Sequence, residues 1–143
     1  MATVNIKWTE GMSFEGILEG HKIRLDAASE SGGADSGFRP KALMLVAFAG
    51  CTGMDIVSLI KKMREEIEEY DMQVDADLAE DHPKVYTRFN IVYNLKGSNL
   101  SAEKVIKSVK MSQETYCGVA AMLRMIAPLS YQVILNGEEI LSV

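Results

Sequence analysis

The two cysteines are the residues whose types and surroundings could do the most distinctive chemistry. Cys51 lies within ALMLVAFAGCTGMDIVSLIKK, and Cys117 lies within SQETYCGVAAMLRM. A cysteine thiolate is a strong nucleophile and a metal ligand, whereas a buried free thiol behaves as a small hydrophobic side chain. Taken alone, each cysteine can be explained as a buried structural residue. Its sequence context must therefore decide whether it is reactive or structural.

Both contexts favour reactive thiols over inert ones. Gly50 and Gly53 flank Cys51 in an otherwise bulky apolar helix, where each glycine costs ~1 kcal/mol. We therefore expect these glycines to make room around Cys51 for a substrate or another backbone. Cys117 is predicted to lie in the first turn of a later helix, where the helix dipole favours a thiolate.

Other kinds of site find little support. The two histidines, His21 and His82, fall in predicted turns, have no cysteine or carboxylate at ligand spacing, and there is no CxxC motif. We therefore expect no metal site and no bound cofactor. A protease-like Cys–His pair would need one of these turn histidines and is not favoured. No glycine-rich phosphate loop and no GxSxG nucleophile elbow occurs.

Length and composition indicate a globular chain. The 143 residues predict one domain spanning residues 1–143, and a net charge of −5 argues against nucleic acid or an anionic membrane as a partner. The apolar run from Ala42 to Met54 is shorter than the ~20 residues that span a bilayer, and no secretory signal is apparent. We expect a cytoplasmic protein, in which a structural disulfide is not favoured.

The pattern of apolar residues predicts an α+β fold. Pro40 suits the first turn of a long central helix, and the glutamates of EEIEE are interpreted as its solvated face. The predicted elements are an N-terminal three-stranded antiparallel meander over the first 26 residues, a loop at 27–38, the helix at about 40–69, a β-hairpin at 72–80 and 84–96, a helix capped by Ser101, a shorter helix holding Cys117, and a C-terminal strand, alone or with half of a hairpin.

The two cysteine motifs together resemble the OsmC/Ohr superfamily. Its members carry a proline-led helix with a cysteine among small residues, as in PKALMLVAFAGCTGMDIVSLIKK, and a second cysteine at the start of a later helix, as in SQETYCGVAAMLRM. The opening IKW strand and the GMSFEG…GHKI hairpin are most similar to the YhfA-like branch. The resemblance covers nearly the whole chain and implies an OsmC-like fold and an intertwined homodimer with two active sites at its interface.

The resemblance also implies a cysteine-based peroxidase that reduces organic hydroperoxides in the response to oxidative or osmotic stress. Cys51 would attack the peroxide and become a sulfenic acid, and Cys117 would condense with it to a disulfide. An external dithiol reductant, such as a lipoylated protein, would then reopen the Cys51–Cys117 disulfide. The family pattern implies no bound cofactor.

Two family positions are not matched. The peroxidases of the family hold their thiolate with an arginine from the early hairpin, and hold that arginine with a glutamate after the helix-opening proline. Here Lys41 follows Pro40, and the hairpin segment TEGMSF has no arginine; Arg24 and Arg39 are the nearest, off the motif. An OsmC-fold protein that senses redox state or binds a small apolar molecule, without peroxidase turnover, is therefore a second hypothesis. A structural domain with buried thiols is a third.

Overall fold

A computed structural model describes all 143 residues. The chain divides into two compact units, residues 1–44 and residues 45–143. The predicted α+β class is confirmed. The elements are strands β1 (Asn5–Glu10), β2 (Ser13–Leu18), β3 (His21–Leu25), β4 (Glu69–Leu78), β5 (Tyr86–Lys96), β6 (Leu129–Leu135) and β7 (Glu138–Ser142), and helices α1 (Pro40–Lys62), α2 (Ala102–Met111) and α3 (Gly118–Arg124).

The first unit contains the predicted antiparallel meander, with strand order β1-β2-β3. Glu19 and Gly20 connect β2 to β3 with positive φ at both positions, the geometry whose twist matches that of the flanking strands. Several apolar side chains of this sheet stay exposed, including Ile6, Trp8 and Phe14. The meander therefore presents an apolar surface that the chain itself does not cover.

The second unit contains a four-stranded sheet in the order β4-β5-β6-β7. The predicted hairpin of β4 and β5 is present, and β5 pairs with β6 in parallel. The chain closes with two antiparallel strands joined at Asn136 and Gly137, so the expectation of a single C-terminal strand is wrong and the strand-plus-hairpin alternative holds. The alternating side chains of β5 that enter the core are fully buried: Phe89, Ile91, Tyr93 and Leu95.

One side of helix α1 packs into the core. Phe48, Ile56 and Ile60 are almost fully buried in the cluster that also contains the inner face of β5. By length and composition α1 could also cross a membrane, with a mean hydropathy of 2.0 over its most apolar window. Core helices of soluble proteins meet the same criterion, and 33% of that window is buried inside the fold.

Helix α1 ends at Lys62, not near residue 69 as predicted. Arg64 adopts the left-handed conformation, its N–H donates to the Lys61 carbonyl at 3.0 Å, and the Glu65 N–H donates to the Ile60 carbonyl at 3.2 Å. These two bonds are the Schellman pattern that terminates helices. Residues 65–69 therefore leave the helix and lead into β4, so the EEIEE segment is not a helix face.

Glu65 has a specific partner instead of a solvated position. Its carboxylate accepts the Ser101 N–H at 2.8 Å and lies 3.1 Å from Lys104 Nζ, with the side chain only 9% exposed. The Ser101 hydroxyl in turn accepts the Lys104 N–H, which confirms Ser101 as the cap of α2. The Ser101 N–H, aided by Lys104, holds the pKa of Glu65 below its usual value.

We predict that Glu65→Gln lowers the free energy of unfolding by about 1–2 kcal/mol at pH 7, because a charge-assisted bond to the start of α2 is lost. A carboxyl whose pKa is lowered on folding stabilises the fold above its unfolded pKa, near 4.5, and loses this contribution as the pH falls through the folded value. The stability of Glu65→Gln should therefore fall less steeply below pH 4.5 in urea titrations. Glu66→Gln, at an exposed position, is the control and should behave like the unaltered protein.

Candidate functional site

Cys51 and Cys117 lie together in the second unit, although they are far apart in the sequence. Their Sγ atoms are within 4.8 Å of each other, so the two thiols are direct neighbours. Cys51, on α1, is half-buried, whereas Cys117 is only 3% exposed. The fold thus pairs one accessible thiol with one that is shielded from solvent.

Cys117 lies between two short helical segments. A π-helical turn, Ser112–Tyr116, precedes it, and the Cys117 N–H donates to the Ser112 carbonyl at 2.8 Å. The backbone of Cys117 is extended, and its Sγ accepts the Ala120 N–H at 3.3 Å. Cys117 is therefore the N-cap of α3 and not, as predicted, a residue of its first turn.

Burial raises the pKa of the Cys117 thiol to about 11, opposed by the Ala120 N–H and reinforced by the neighbouring Cys51. Loss of water disfavours the charged form of a thiol. Cys117 is therefore a neutral thiol at physiological pH, with an S–H that can donate to the Cys51 sulfur.

Asp55 completes the site and was not predicted from the sequence. It follows Cys51 by one helical turn on α1, and a carboxylate oxygen lies within 4.8 Å of both sulfurs. A cavity of about 160 Å³ opens beside it, lined by Asp55, Ser58, Leu59, Lys62 and Tyr116. The i, i+4 spacing of Cys51 and Asp55 was visible in the sequence, but its meaning depends on Cys117.

A chain of buried hydroxyl groups leads away from Asp55. Ser112 Oγ donates to Asp55 Oδ2 at 2.9 Å, Thr52 Oγ1 lies 2.8 Å from Ser112 Oγ, and the Tyr93 hydroxyl lies 2.8 Å from Thr52 Oγ1. Each hydroxyl carries one hydrogen. Because that of Ser112 points to the carboxylate, Thr52 must donate to Ser112, and Tyr93 must donate to Thr52.

The hydrogen-bond chain begins at the guanidinium group of Arg124. Arg124 donates to the Gln113 carbonyl at 2.5 Å and to Gln113 Oε1 at 2.6 Å, and Gln113 Nε2 donates to the Tyr93 hydroxyl. Burial raises the pKa of Tyr93 to about 12, so its hydroxyl keeps the proton that it donates. The donors therefore all point one way, from Arg124 to Asp55, and they join α1, β5, the π-helical turn and α3 around the two thiols.

The two glycines next to Cys51 lie on the face of α1 that meets β4 and an apolar groove. A side chain added at Gly50 would meet no atom within 4 Å, and one added at Gly53 would meet the tip of Met72 at 2.6 Å. Gly53 thus allows Met72 of β4 to approach α1, which agrees with the prediction that small residues here admit a neighbouring segment. An apolar groove of about 540 Å³ runs along this face, lined by Gly50, Gly53, Met54, Val57, Ser58, Lys61, Tyr70 and Met72.

Arg24 and Arg39, the arginines nearest to the unmatched family position, bind groups of the first unit. Arg24 donates to Ser36 Oγ at 2.8 Å and to Ser13 Oγ at 3.2 Å. Arg39 donates to the Gly37 carbonyl at 2.8 Å and pairs with Asp35. The arginine tied to the site is Arg124, which sequence reasoning missed because only the fold connects it to Asp55.

The fold and the site together define an α+β protein with two thiols from separate helices in one partly buried site. The model of the OsmC-like protein family matches residues 32–131. Protein YhfA of Escherichia coli strain K12 is 31% identical over 132 residues, which cover 90% of this chain and 96% of YhfA. The chain belongs to the OsmC-like family.

Solved structures share this fold. A hypothetical protein from Aquifex aeolicus VF5 aligns with a TM-score of 0.80 and 25% identity, covering 95% of this chain and 98% of that one. An organic hydroperoxide resistance protein from Elizabethkingia anophelis aligns with a TM-score of 0.70 and 14% identity, covering 95% of this chain and 96% of that one.

We predict that Cys117 in the native, reduced protein reacts with iodoacetamide at a rate that rises about tenfold per pH unit up to a pH of about 11, because only the thiolate reacts. The measurement is peptide mass spectrometry after short exposures at stepped pH. In urea the same peptide should level off near the ordinary value of 9.0. A native profile that also levels off near 9.0 would contradict the effect of burial.

We also predict that Thr52→Val lowers the free energy of unfolding by about 1–3 kcal/mol, because Thr52 is fully buried and its hydroxyl joins Tyr93 to Ser112. Thr87→Val makes the same chemical change at an exposed position of β5 and should alter stability by less than about 0.5 kcal/mol. Urea unfolding of both variants gives the comparison. Equal effects would mean that the buried hydroxyl chain contributes nothing to stability.

Proposed function

We propose that this protein reduces organic hydroperoxides with Cys51 as the peroxidatic thiol and Cys117 as the resolving thiol. One observation carries the proposal: the two sulfurs lie within 4.8 Å, and Cys51 is the more exposed of the two. Membership of the OsmC-like family supports it, since proteins of this fold include some named organic hydroperoxide resistance proteins.

The proposed reaction has three balanced steps. The Cys51 thiolate attacks one peroxide oxygen, the O–O bond breaks, and the alkoxide takes a proton and leaves as the alcohol, with Cys51 oxidised to a sulfenic acid. The Cys117 sulfur attacks the Cys51 sulfur, a disulfide forms, and water leaves. An external dithiol, of the kind carried by lipoylated proteins, then reduces the disulfide and is itself oxidised to a cyclic disulfide.

The environment of Cys51 suits this chemistry in one respect and opposes it in another. The neutral Cys117 thiol can donate its S–H to the Cys51 thiolate, and a donated hydrogen bond stabilises the charged form. The Asp55 carboxylate places a negative charge within 4.8 Å of the same sulfur and repels that thiolate. The rate of attack would then reflect the balance between these two neighbours.

We propose further that the active form is a cytoplasmic homodimer. The exposed apolar side chains of the meander and those beside the α1 groove, such as Met54 at 76% exposure, form surfaces larger than scattered single residues. A second copy of the chain would cover such surfaces, as the resemblance to the superfamily implies.

A second candidate function is binding of a small apolar molecule, or redox sensing, without peroxidase turnover. It is favoured by the apolar groove of about 540 Å³ and by the engagement of Arg24 and Arg39 with partners in their own unit. Under this hypothesis the thiols oxidise slowly and without catalytic consumption of peroxide.

The deciding experiment follows free thiols and peroxide in the reduced protein mixed with cumene hydroperoxide, in the presence of a chelator and with dihydrolipoamide as reductant. We predict loss of both thiols, a Cys51–Cys117 disulfide by mass spectrometry, and many turnovers per chain. Cys51→Ser should abolish turnover, because no nucleophile remains. Cys117→Ser should keep the first oxidation and accumulate a sulfenic acid that dimedone traps.

The double variant Cys51→Ser/Cys117→Ser gives the background rate. Thiols that survive millimolar peroxide would overturn the proposal. Stoichiometric oxidation without turnover would favour the second candidate function. Hydrogen peroxide in parallel shows whether the organic part of the peroxide contributes to reactivity.

A further inference from the structure

We propose that Cys51, Asp55 and Cys117 form a binding site for a zinc ion. The three side chains come from α1 and the cap of α3, and one ligand atom from each lies within 4.8 Å of the other two. This inference goes beyond the proposed peroxidase function and does not depend on it, since a chain without peroxidase activity could still bind the ion.

The ligand types and their separation fit zinc. Two thiolates and one carboxylate are ligands that Zn²⁺ accepts in proteins, and soft thiolates select it over Mg²⁺ and Ca²⁺. Zinc–sulfur bonds of about 2.3 Å in a tetrahedron place two sulfurs about 3.8 Å apart. Zinc–oxygen bonds of about 2.0 Å place the carboxylate oxygen about 3.5 Å from each sulfur. From the 4.8 Å limit the sulfurs therefore close by at most about 1 Å and each sulfur–oxygen pair by at most about 1.3 Å, which side-chain rotation can supply.

Two of the three ligands are already held by hydrogen bonds. Ser112 donates to Asp55 Oδ2 and leaves the carboxylate a second oxygen, and the Ala120 N–H donates to Cys117 Sγ. Such bonds orient metal ligands and contribute to affinity. The chain of hydroxyls that begins at Arg124 thus ends on one ligand of the proposed site.

The charges and protons balance on binding. Cys51 and Cys117 each release one proton to the buffer. With Asp55 bound through its carboxylate, the three anionic ligands and Zn²⁺ carry a net charge of −1. Lys62 lines the cavity beside Asp55 and supplies a positive charge nearby. The same cavity of about 160 Å³ brings solvent to the Asp55 side of the three ligands, and zinc sites with three protein ligands take water as the fourth.

Zinc and peroxide would compete for the Cys51 sulfur. A zinc-bound thiolate is withheld from peroxide, and a Cys51–Cys117 disulfide has no thiolate to offer a metal. The proposed site therefore binds zinc only in the reduced protein.

The test uses the full, reduced, metal-free protein titrated with Co²⁺, which replaces zinc and reports on its ligands. We expect one Co²⁺ per chain, a thiolate-to-cobalt charge-transfer band in the near ultraviolet, visible bands typical of tetrahedral cobalt, and displacement of both by one equivalent of Zn²⁺. Competition with a chromophoric chelator then gives the Kd for zinc. Prior oxidation to the disulfide should abolish all of these signals.

Variants assign the ligands. Cys51→Ser should reduce the charge-transfer band to about half, and Asp55→Asn should weaken zinc binding tenfold or more. Asp81→Asn removes an exposed carboxylate in a turn and should leave the Kd unchanged. Because Cys117 is buried, Cys117→Ala is compared with Cys117→Ser to separate loss of the ligand from a change in packing. Protection of Cys51 from iodoacetamide by zinc in the unaltered protein is a readout that needs no variant.

The proposal is overturned if zinc binds equally well to Cys51→Ser/Cys117→Ser, if Co²⁺ gives no charge-transfer band, or if a tenfold excess of zinc leaves Cys51 unprotected. Asp55→Asn also separates this proposal from the peroxidase function. Removing the repulsion should speed peroxide oxidation of Cys51 about threefold to fivefold in the presence of a chelator, while zinc binding weakens. Each effect can be absent without the other.

Discussion

The hydrogen-bond chain from Arg124 to Asp55 is the constraint on which the site depends. Thr52, next to Cys51, binds Tyr93 of β5 on one side and Ser112 of the π-helical turn on the other. No buried side-chain nitrogen or oxygen is left without a partner. Because each donor points to the next acceptor, moving any one group would leave another unpaired in a region of low dielectric, at a cost of about 1–3 kcal/mol. Thr52 adjoins Cys51, and the Ser112 carbonyl accepts the Cys117 N–H, so this hydrogen-bond chain holds the backbone beside both thiols.

The chemistry of the thiols is set by burial and by a neighbouring carboxylate. Burial keeps Cys117 protonated, with its sulfur within 4.8 Å of the Cys51 sulfur. Asp55 acts as a fixed negative charge that repels a thiolate and attracts a cation. We propose that Cys51 and Cys117 react with peroxide, or bind zinc together with Asp55, according to which species reaches the site. Arg24 and Arg39 bind groups of the first unit.

Local patterns predicted the elements well and their ends less well. The meander, the hairpin of β4 and β5, and the Ser101 cap follow from alternation and capping chemistry over a few residues. The end of α1 was misplaced because Arg64 is a non-glycine residue in the left-handed conformation, which a sequence pattern does not signal. Glu65 was misread because its partner, Ser101, is distant in the sequence.

The sequence by itself determined the α+β class, the membership of the OsmC-like family and the choice of Cys51 and Cys117 as the chemically interesting pair. Periodicity and motif spacing carry that information because they are local or repeated across a family. Only the tertiary structure decided that Asp55 joins the thiols and that Arg124 leads to them. Those contacts join residues that chain order leaves far apart, and burial, which raises the pKa of Cys117, exists only in the folded protein.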